Sequence, residues 1–320
     1  MTRVSAGGRL HVGFLNLSLA RERLYGGVGV GLAAPRVTLD AERADAVVCD
    51  DPLVADYASR VCDLLDVPGA RIAVEETLPR HVGLGSGTQV ALATLAAVAG
   101  AYDRAPRVRE RAPALGRGGR SGVGVATFEG GGFVVDAGHP TERFTTAAPA
   151  DGEWTVPPVT ARHDLPEEWR ALLVLPEAPT GRSGEQEDAS MRAVVERADP
   201  TVADEAAGIL ARRLLPAAAT GDLDAFGRAV GEFGRLNGAW YADAQGGVYR
   251  PPAGELVEAL GGEPGVVGVG QSSWGPAVYG LTSADRAGAA REAGEAALDV
   301  AGVGGEVRVV PLASAGARVE

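Results

Sequence analysis

The chain has 320 residues, a hydrophobic content of 46% and a formal net charge of −12 at pH 7. This length and hydrophobic content predict one large domain or two ordinary ones with a sizeable core, and the negative charge argues against nucleic acid as a partner, because a phosphate backbone needs a concentrated positive patch. All 30 basic residues are arginine, which excludes Schiff-base chemistry, pyridoxal phosphate attachment and a P-loop lysine.

The N-terminal part of the chain is predicted to alternate strands and helices. The apolar, partly alternating stretches 3–17 and 28–42 predict two strands joined by a Gly-Gly turn at residues 26–27. Residues 52–65 carry apolar side chains at helical spacing behind Asp51, a candidate N-cap. The sequence therefore opens with a small sheet and a helix that can pack on it.

Residues 83–87, Gly-Leu-Gly-Ser-Gly, are the strongest local signal, because an alanine-rich helix predicted over 88–102 follows at once. Glycines let backbone N–H groups approach a bound anion, and the helix N-terminus adds partial positive charge. The pattern predicts a phosphate cradle, and a tight turn without a ligand is the alternative. The candidate phosphate-binding residues here are Gly83, Gly85, Ser86, Gly87, Thr88 and Gln89.

The remaining segments predict a second domain. Residues 123–128 and 132–136 are interpreted as a hairpin. Residues 149–168, which lack periodicity, are interpreted as a linker between a domain of residues 1–148 and one of residues 169–320. The order of predicted elements after the linker is strand, helices, strand, strand, helix, strand. This order is typical of a split βαβ, ferredoxin-like arrangement, so the fold class is α+β.

Two further glycine-rich stretches carry polar side chains. Residues 116–122 place arginines and a serine among glycines, as a site for phosphate or carboxylate would. Residues 268–276 combine hydroxyls, an amide and a tryptophan. Three loops of this kind favour a ligand site over three unrelated turns. The second and third loops contribute Arg117, Arg120, Ser121, Gln271, Ser272 and Trp274 as candidates.

Three spaced elements resemble the GHMP kinase superfamily: a GRLH strand at residues 8–11, PxxxGLGSGTQ at 79–89 and GVGQSSWG at 268–275. Longer blocks, such as GRSGVGVATFEGGGFVVDAGH at 119–139, resemble its archaeal non-kinase branch, the β-ribofuranosylaminobenzene 5′-phosphate synthases, over essentially the whole chain. The resemblance implies a GHMP-type two-domain fold, in which the N-terminal domain is like domain 2 of ribosomal protein S5 and the C-terminal domain is ferredoxin-like.

The same resemblance implies a decarboxylating C-glycosylation. Phosphoribosyl pyrophosphate (PRPP) would lose diphosphate, the carboxylate-bearing ring carbon of 4-aminobenzoate or 4-hydroxybenzoate would attack the sugar, and CO₂ would leave. Departure of diphosphate needs N–H donors, arginines and Mg²⁺, and none of these roles requires lysine. We expect Mg²⁺ as the cofactor, a homodimer, and a place in methanopterin-type pterin biosynthesis.

An ATP-dependent small-molecule kinase of the GHMP family is the alternative. Mevalonate-type kinases carry a Ser-Gly-Val-Asp segment whose carboxylate acts on the substrate hydroxyl, whereas this chain has Ser-Gly-Val-Gly at residues 121–124. Gly124 therefore occupies the position of the acid, and no lysine is present to assist it. A nucleotide-binding protein without catalytic activity is the third possibility.

Several single residues complete the predicted site. Arg9 and His11 alternate with apolar neighbours and could face a ligand, or else the solvent side of a strand. With Gln271 and Ser272 they are the candidate catalytic residues. Glu185 opens a predicted helix and is a candidate Mg²⁺ ligand, although an acidic first turn also complements the helix dipole. The candidate aromatic-substrate pocket consists of Trp240, Tyr241, Trp274 and His139, which could instead be core or dimer surface.

The sequence carries no signal for a membrane or for secretion. No apolar run approaches the ~18 residues of a transmembrane helix, and the first residues lack a secretory pattern. We therefore expect a cytoplasmic protein without a membrane partner. The acidic, lysine-free composition also suggests adaptation to high salt or a GC-rich genome.

Overall fold

The computed structural model describes residues 1–144, 153–179 and 185–320, apart from the side chains of 185–189. The strands are β1 (Thr2–Asn16), β2 (Arg23–Arg43), β3 (Ala70–Glu76), β4 (Phe133–Asp136), β5 (His139–Pro140), β6 (Val159–His163), β7 (Trp169–Pro176), β8 (Val267–Gln271), β9 (Val278–Ser283), β10 (Gly305–Pro311) and β11 (Arg318–Val319). The helices are α1 (Pro52–Leu65), α2 (Ser86–Ala101), α3 (Val108–Arg111), α4 (Val123–Gly130), α5 (Glu185–Val195), α6 (Pro200–Ile209), α7 (Leu215–Thr220), α8 (Leu223–Gln245), α9 (Ala253–Leu260) and α10 (Ala287–Ala301). Among the described residues, no helix is long and apolar enough to cross a membrane.

The described strands form two antiparallel sheets. The first has the order β11-β1-β2-β4-β6, with β3 and β5 also paired to β2. The second has the order β10-β7-β9-β8, which is 4-1-3-2 when its strands are numbered within the sheet. That order is the one expected of a split βαβ arrangement, so the ferredoxin-like prediction for the second domain is confirmed.

Strand β1 contributes to two cores. Near its start, Val4 and Ala6 pack in the core formed with α1 and α2. Further along, Leu10 and Val12 pack in a second core, between the two sheets, together with Tyr279 of β9. One strand thus connects the helical layer of the first domain to the second domain.

Glycines allow β1 to pack in one core near its start and in the other core further along. The pairing of β1 with β2 is irregular between Gly7 and Arg9, and again between His11 and Gly13. A Cβ on Gly7 would lie 1.8 Å from the carbonyl oxygen of Leu32, so any side chain there would force the strands apart. The first irregularity precedes Arg9 and the second follows His11, so the segment that carries both residues is bounded by bulges, which re-aim side chains.

Two local predictions are wrong. Residues 26–27 lie inside β2, and the chain turns between β1 and β2 instead. There the side-chain amide of Asn16 donates to the carbonyls of Ser18 and Arg23. Residues 123–128, predicted as a strand, belong to helix α4. A short apolar run is compatible with either element when it is buried, and here it forms a helix that packs against the first sheet and against α2.

The predicted linker, residues 149–168, contains a strand in its described part. This strand, β6, pairs with β4, and the C-terminal strand β11 returns to pair with β1. Residues from both sides of the predicted boundary therefore complete the first sheet. The exact division into residues 1–148 and 169–320 stays a prediction.

Candidate functional site

The glycine loop presents the N-terminus of α2. Gly83 has φ +100° and Gly85, the N-cap of α2, has φ +76°, backbone conformations that favour glycine. The N–H groups of Thr88 and Gln89 donate back to the carbonyl of Gly85. The first amides of the helix, at Ser86 and Gly87, have no partner within the helix and can donate to an anion.

Two arginines flank this helix end. The side chain of Arg9 donates to the carbonyl of Gly83 and lies against Gly85, where an added Cβ would be 3.0 Å from its Cγ. The guanidinium of Arg117 lies across Gly87, where an added Cβ would be 3.1 Å from Nη1, and it is bonded to the hydroxyl of Tyr57. The cradle therefore combines amides, the helix dipole and two positive side chains.

Ser272 joins the glycine loop to β1. Its hydroxyl accepts from the backbone N–H of His11 at 3.1 Å and donates to the carbonyl of Gly83 at 2.8 Å. The side chain of Ser272 is fully buried, and both bonds are to backbone. Gly275, further along the same loop, lies so close to Val82 that a Cβ would be 2.0 Å from its carbonyl oxygen. The first and third glycine-rich loops are thus in direct contact.

His11, Ser121 and Asp136 form a buried hydrogen-bonded chain. The Nε2 atom of His11 lies 3.2 Å from Oγ of Ser121, and that hydroxyl donates to Oδ2 of Asp136 at 3.2 Å. Asp136, which has no exposed surface, also accepts from the N–H groups of Gly122 at 2.7 Å and Gly138 at 2.9 Å. The carboxylate is therefore satisfied internally.

Burial shifts both titratable ends of this chain. It lowers the pKa of His11 to about 3, with a smaller contribution from the positive charge of Arg9. It raises the pKa of Asp136 to about 6, although the hydrogen bonds that Asp136 accepts act in the opposite direction. At neutral pH the imidazole is therefore neutral and the carboxylate is ionised.

An aromatic cavity opens beside His11. It lies between β1, the C-terminal half of α8 and the loop after β8. The rings of Tyr241 and Trp274 meet edge to face, with centroids 4.7 Å apart, and the ring of Phe14 lies 4.8 Å from that of His11. The residues that line the aromatic cavity include His11, Phe14, Tyr241, Tyr249, Gln271 and Trp274.

Asn237 and Gln271 hold the walls of the cavity. The amide of Asn237 accepts from the backbone N–H of Phe14 and donates to its carbonyl at 3.0 Å, which braces the bulge at Gly13. The amide of Gln271 accepts from the N–H of Arg250 at 2.9 Å and donates to the carbonyl of Ser273 at 3.2 Å. Both amides fix loop and strand geometry around the cavity.

The structure brings many of the predicted residues together but places some outside the cavity and the cradle. His139 does not line the cavity; its Nε2 pairs with the carbonyl of Gly119 and its ring contacts Trp154 at 4.8 Å. Trp240 packs on the same apolar cluster as Trp274 without lining the cavity. Gln89 is fully buried and donates to the carbonyl of Gly124 at 2.9 Å, so it ties α2 to α4.

Arg120 lies beside the buried phenol of Tyr25. Burial raises the pKa of Tyr25, and the charge and hydrogen bond of Arg120 partly offset this. The side chain of Glu185 is outside the described residues, so its role as a metal ligand stays a prediction. Within the described ranges, no group of three or more His, Cys, Asp or Glu residues could hold a metal ion.

Sequence reasoning missed Asp136 and Asn237. Asp136 ends the apolar segment Phe-Val-Val-Asp at 133–136, where a single acidic residue after a buried strand was a usable signal. Asn237 follows Phe226, Val230 and Phe233 on the buried face of α8, so its polar side chain interrupts an apolar stripe. Such an interruption indicates a buried amide with a specific partner.

Comparisons with known proteins agree with this architecture. A family model described as "GHMP kinases N terminal domain" matches residues 52–132, and one described as "GHMP kinases C terminal" matches residues 214–299. The beta-ribofuranosylphenol 5'-phosphate synthase of Methanothermobacter thermautotrophicus is 33% identical over 296 residues, which cover 87% of this chain and 88% of that protein. The enzyme of the same name from Archaeoglobus fulgidus is 31% identical over 307 residues, 91% of each chain.

The chain belongs to the beta-ribofuranosylphenol 5'-phosphate synthase family. The resemblance inferred from the sequence motifs is thereby confirmed, and the protein is an enzyme of the pentosyltransferase type. Solved structures of GHMP kinases share the synthase's fold. A homoserine kinase from Cytophaga hutchinsonii, 17% identical, superposes with a TM-score of 0.64 and covers 100% of this chain and 97% of its own. The phosphomevalonate kinase of Streptococcus pneumoniae, 14% identical, has a TM-score of 0.68, with 97% and 98% covered.

In the synthase, the pKa values of the two ends of the buried chain should be shifted in opposite directions, upward for Asp136 and downward for His11. By NMR, the Asp136 carboxyl carbon should titrate near pH 6, whereas the imidazole of His11, identified by its loss in His11→Phe, should stay neutral over about pH 5 to 8. In the unfolded chain, the pKa of Asp136 is 3.8 and that of His11 is 6.5. The contribution of Asp136 to the stability of the fold is therefore complete below pH 3.8, and it is lost as the pH rises through about 6. The His11 contribution is present above 6.5 and lost as pH falls towards about 3. A His11 signal that titrates near neutral pH would contradict this geometry.

Proposed function

We propose that this synthase joins the ribosyl 5-phosphate group of PRPP to the carboxylate-bearing carbon of 4-hydroxybenzoate, with release of diphosphate and CO₂. The observation that carries the proposal is the contact between an anion cradle and an aromatic cavity. Ser272 bonds the carbonyl of Gly83 in the cradle and the N–H of His11 at the cavity. One ligand site for phosphates and another for a flat ring are thus held side by side.

The cradle suits the departing diphosphate. The amides at Ser86 and Gly87 and the guanidinium of Arg117 lie at the N-terminus of α2, where charge that develops on a leaving group is stabilised. The sugar then needs an aligned electron-rich ring rather than a protein nucleophile. Arg9, which lies against Gly85, and Arg120, which lies beside Tyr25, are further candidate cations for the sugar phosphate or the benzoate carboxylate.

The cradle could hold a Mg²⁺ ion that binds together with the diphosphate of PRPP. Magnesium binds through few protein oxygens together with substrate phosphates and retains several waters. The hydroxyls of Ser86 and Thr88, in the first turn of α2, are the oxygens that would hold it. When bound, the ion would neutralise charge on the diphosphate.

The aromatic cavity suits a benzoate ring. Tyr241, Trp274 and Phe14 supply ring faces and edges for stacking. The relatives from M. thermautotrophicus and A. fulgidus are named for a ribofuranosylphenol product, which favours 4-hydroxybenzoate over 4-aminobenzoate. From the resemblance we further infer a cytoplasmic homodimer that serves methanopterin-type pterin biosynthesis.

The surroundings of Gly124 weigh against the kinase alternative. A Cβ at Gly124 would lie 3.1 Å from Cγ2 of Thr88, in the first turn of α2. The kinase-like acid is therefore missing at a position that faces the cradle directly. Asp136, the buried carboxylate close by, is occupied by N–H and hydroxyl donors and cannot serve as a substitute.

Release of labelled CO₂ tests the proposed reaction. The purified protein, incubated with PRPP, Mg²⁺ and 4-hydroxybenzoate labelled at the carboxyl carbon, should release CO₂ and diphosphate in equal amounts. Omission of either substrate should abolish both products. Transfer of phosphate from ATP to an alcohol, without CO₂ release, would favour the kinase instead.

A charge introduced at Gly124 should block turnover without creating a kinase. Gly124→Asp places a carboxylate beside Thr88, where repulsion of the diphosphate in a partly desolvated site costs a few kcal/mol, roughly a 100-fold loss of kcat/KM. Gly124→Asn, of equal size but neutral, is the matched control and should lose less than about 10-fold. Equal losses in both variants would show that size rather than charge matters there.

A further inference from the structure

The hydrogen bonds around Ser121 determine the tautomer of His11. A serine hydroxyl has one proton to donate, and that of Ser121 goes to the acceptor-only carboxylate of Asp136 at 3.2 Å. The N–H of Val123 donates to the same hydroxyl oxygen at 3.2 Å. The remaining contact of Oγ, with Nε2 of His11, therefore requires Nε2 to carry a proton. His11 is the Nε2–H tautomer, by the same logic that lets a carboxylate fix a catalytic histidine.

This tautomer leaves Nδ1 of His11 with a lone pair. Within the part of the chain that the structure describes, Nδ1 has no hydrogen-bond partner, and His11 lines the aromatic cavity. A neutral nitrogen lone pair repels a carboxylate or phosphate oxygen and attracts a hydroxyl or amine proton. The ligand group that meets His11 must therefore be a donor, which excludes the carboxylate end of a benzoate.

We propose that Nδ1 of His11 accepts a hydrogen bond from the para substituent of the aromatic substrate, with Ser121 and Asp136 as the residues that position it. The inference rests on the proposed function and assigns the orientation of the ring within that site. The para hydroxyl meets His11, and the carboxylate-bearing carbon points away from it, towards the sugar.

The hydrogen bond strengthens as the reaction proceeds. When the ring carbon forms its bond to the sugar and diphosphate leaves with the electrons of the C–O bond, the ring becomes cationic and the para oxygen shares that charge. Its O–H then becomes strongly acidic, so a neutral acceptor binds it more tightly than in the ground state. As the C–CO₂ bond breaks, its electrons restore the ring, and the proton remains on the oxygen. No net proton transfer is needed.

The low proton affinity of His11 matches this task. Its pKa of about 3 keeps the imidazole neutral, hence an acceptor, at any ordinary working pH. A weakly basic acceptor does not deprotonate a phenol, but it does bond to the far more acidic O–H of the cationic intermediate. Burial thus keeps His11 in the form that the reaction uses.

A pair of substrates tests the proposal. 4-Hydroxybenzoate donates at the para position, whereas 4-methoxybenzoate has a similar electron-donating group and no proton to donate. The wild-type enzyme should prefer the hydroxyl compound by at least about 100-fold in kcat/KM, since a site built to bond a hydroxyl rejects the analogue that lacks it. His11→Phe should reduce this preference to below about 10-fold. His11→Asn, whose amide oxygen can replace Nδ1, should restore part of it.

A control variant and a binding measurement separate the role of His11 from a loss of folding and from a failure of the proposed reaction. His163→Gln, on β6, is the control for replacing a histidine and should keep the wild-type preference. Binding of both benzoates, followed by quenching of Trp274 fluorescence against a Trp274→Phe blank, should show a preference for the hydroxyl compound even without turnover. This preference should be smaller than that in kcat/KM, because the hydrogen bond strengthens only as charge develops on the ring. An unchanged preference in folded His11→Phe would overturn the role of His11. Failure of wild-type CO₂ release, with the binding preference intact, would overturn only the proposed reaction.

Ser121 gives a separate measurement of the positioning role. In the wild type, ¹⁵N NMR should show His11 as the Nε2–H tautomer, and Ser121→Ala should produce a mixture of tautomers. The variant should lower kcat for 4-hydroxybenzoate about 10-fold or more while changing KM less. A wild-type His11 protonated at Nδ1 would overturn the inference, since Nδ1 could then not accept.

Discussion

The hydroxyl of Ser272 is the interaction on which the geometry of the site depends. It is supplied by the loop after β8, in the second domain, and it bonds the backbone of β1 and of the glycine loop in the first. Because it has no exposed surface and both partners are backbone atoms, the anion cradle and the aromatic cavity cannot shift independently. The distance between the two predicted ligands is therefore set by the packing of the two domains.

The absence of lysine from the sequence and the inward-facing carboxylate of Asp136 shape the chemistry of this site. Arginines, amides and the dipole of α2 supply the positive potential, while Asp136 is turned inward to hold Ser121. A site of this kind stabilises a leaving anion and orients a neutral ring better than it removes a proton from an alcohol. The same fold serves phosphoryl transfer in the GHMP kinases, so the difference lies in a few side chains of the site rather than in the architecture.

Local elements could be predicted from the sequence where the signals that specify them are themselves local. The helix after the glycine loop and the strand order of the second domain followed from glycine placement, helical spacing and element order. The strand predicted at 123–128 was wrong because a buried apolar run has no period that separates helix from strand. The hydrogen bonds of Ser272 and the bond between His11 and Ser121 join residues more than a hundred positions apart, and no local pattern encodes such pairings. An acidic residue after a buried strand indicates a buried carboxylate at Asp136, but the sequence does not show that this carboxylate is linked through Ser121 to His11. His139 lies outside the aromatic cavity because its ring pairs with the carbonyl of Gly119 instead.

The most direct test of the two-ligand site is a crystal structure of the enzyme with diphosphate and 4-hydroxybenzoate bound together. We expect diphosphate at the amides of Ser86 and Gly87, within reach of Arg117. The benzoate ring should lie in the aromatic cavity against Tyr241 and Trp274, with its hydroxyl at hydrogen-bond distance from Nδ1 of His11 and its carboxylate directed away. A benzoate bound with its carboxylate at His11, or a diphosphate bound away from the N-terminus of α2, would contradict this arrangement.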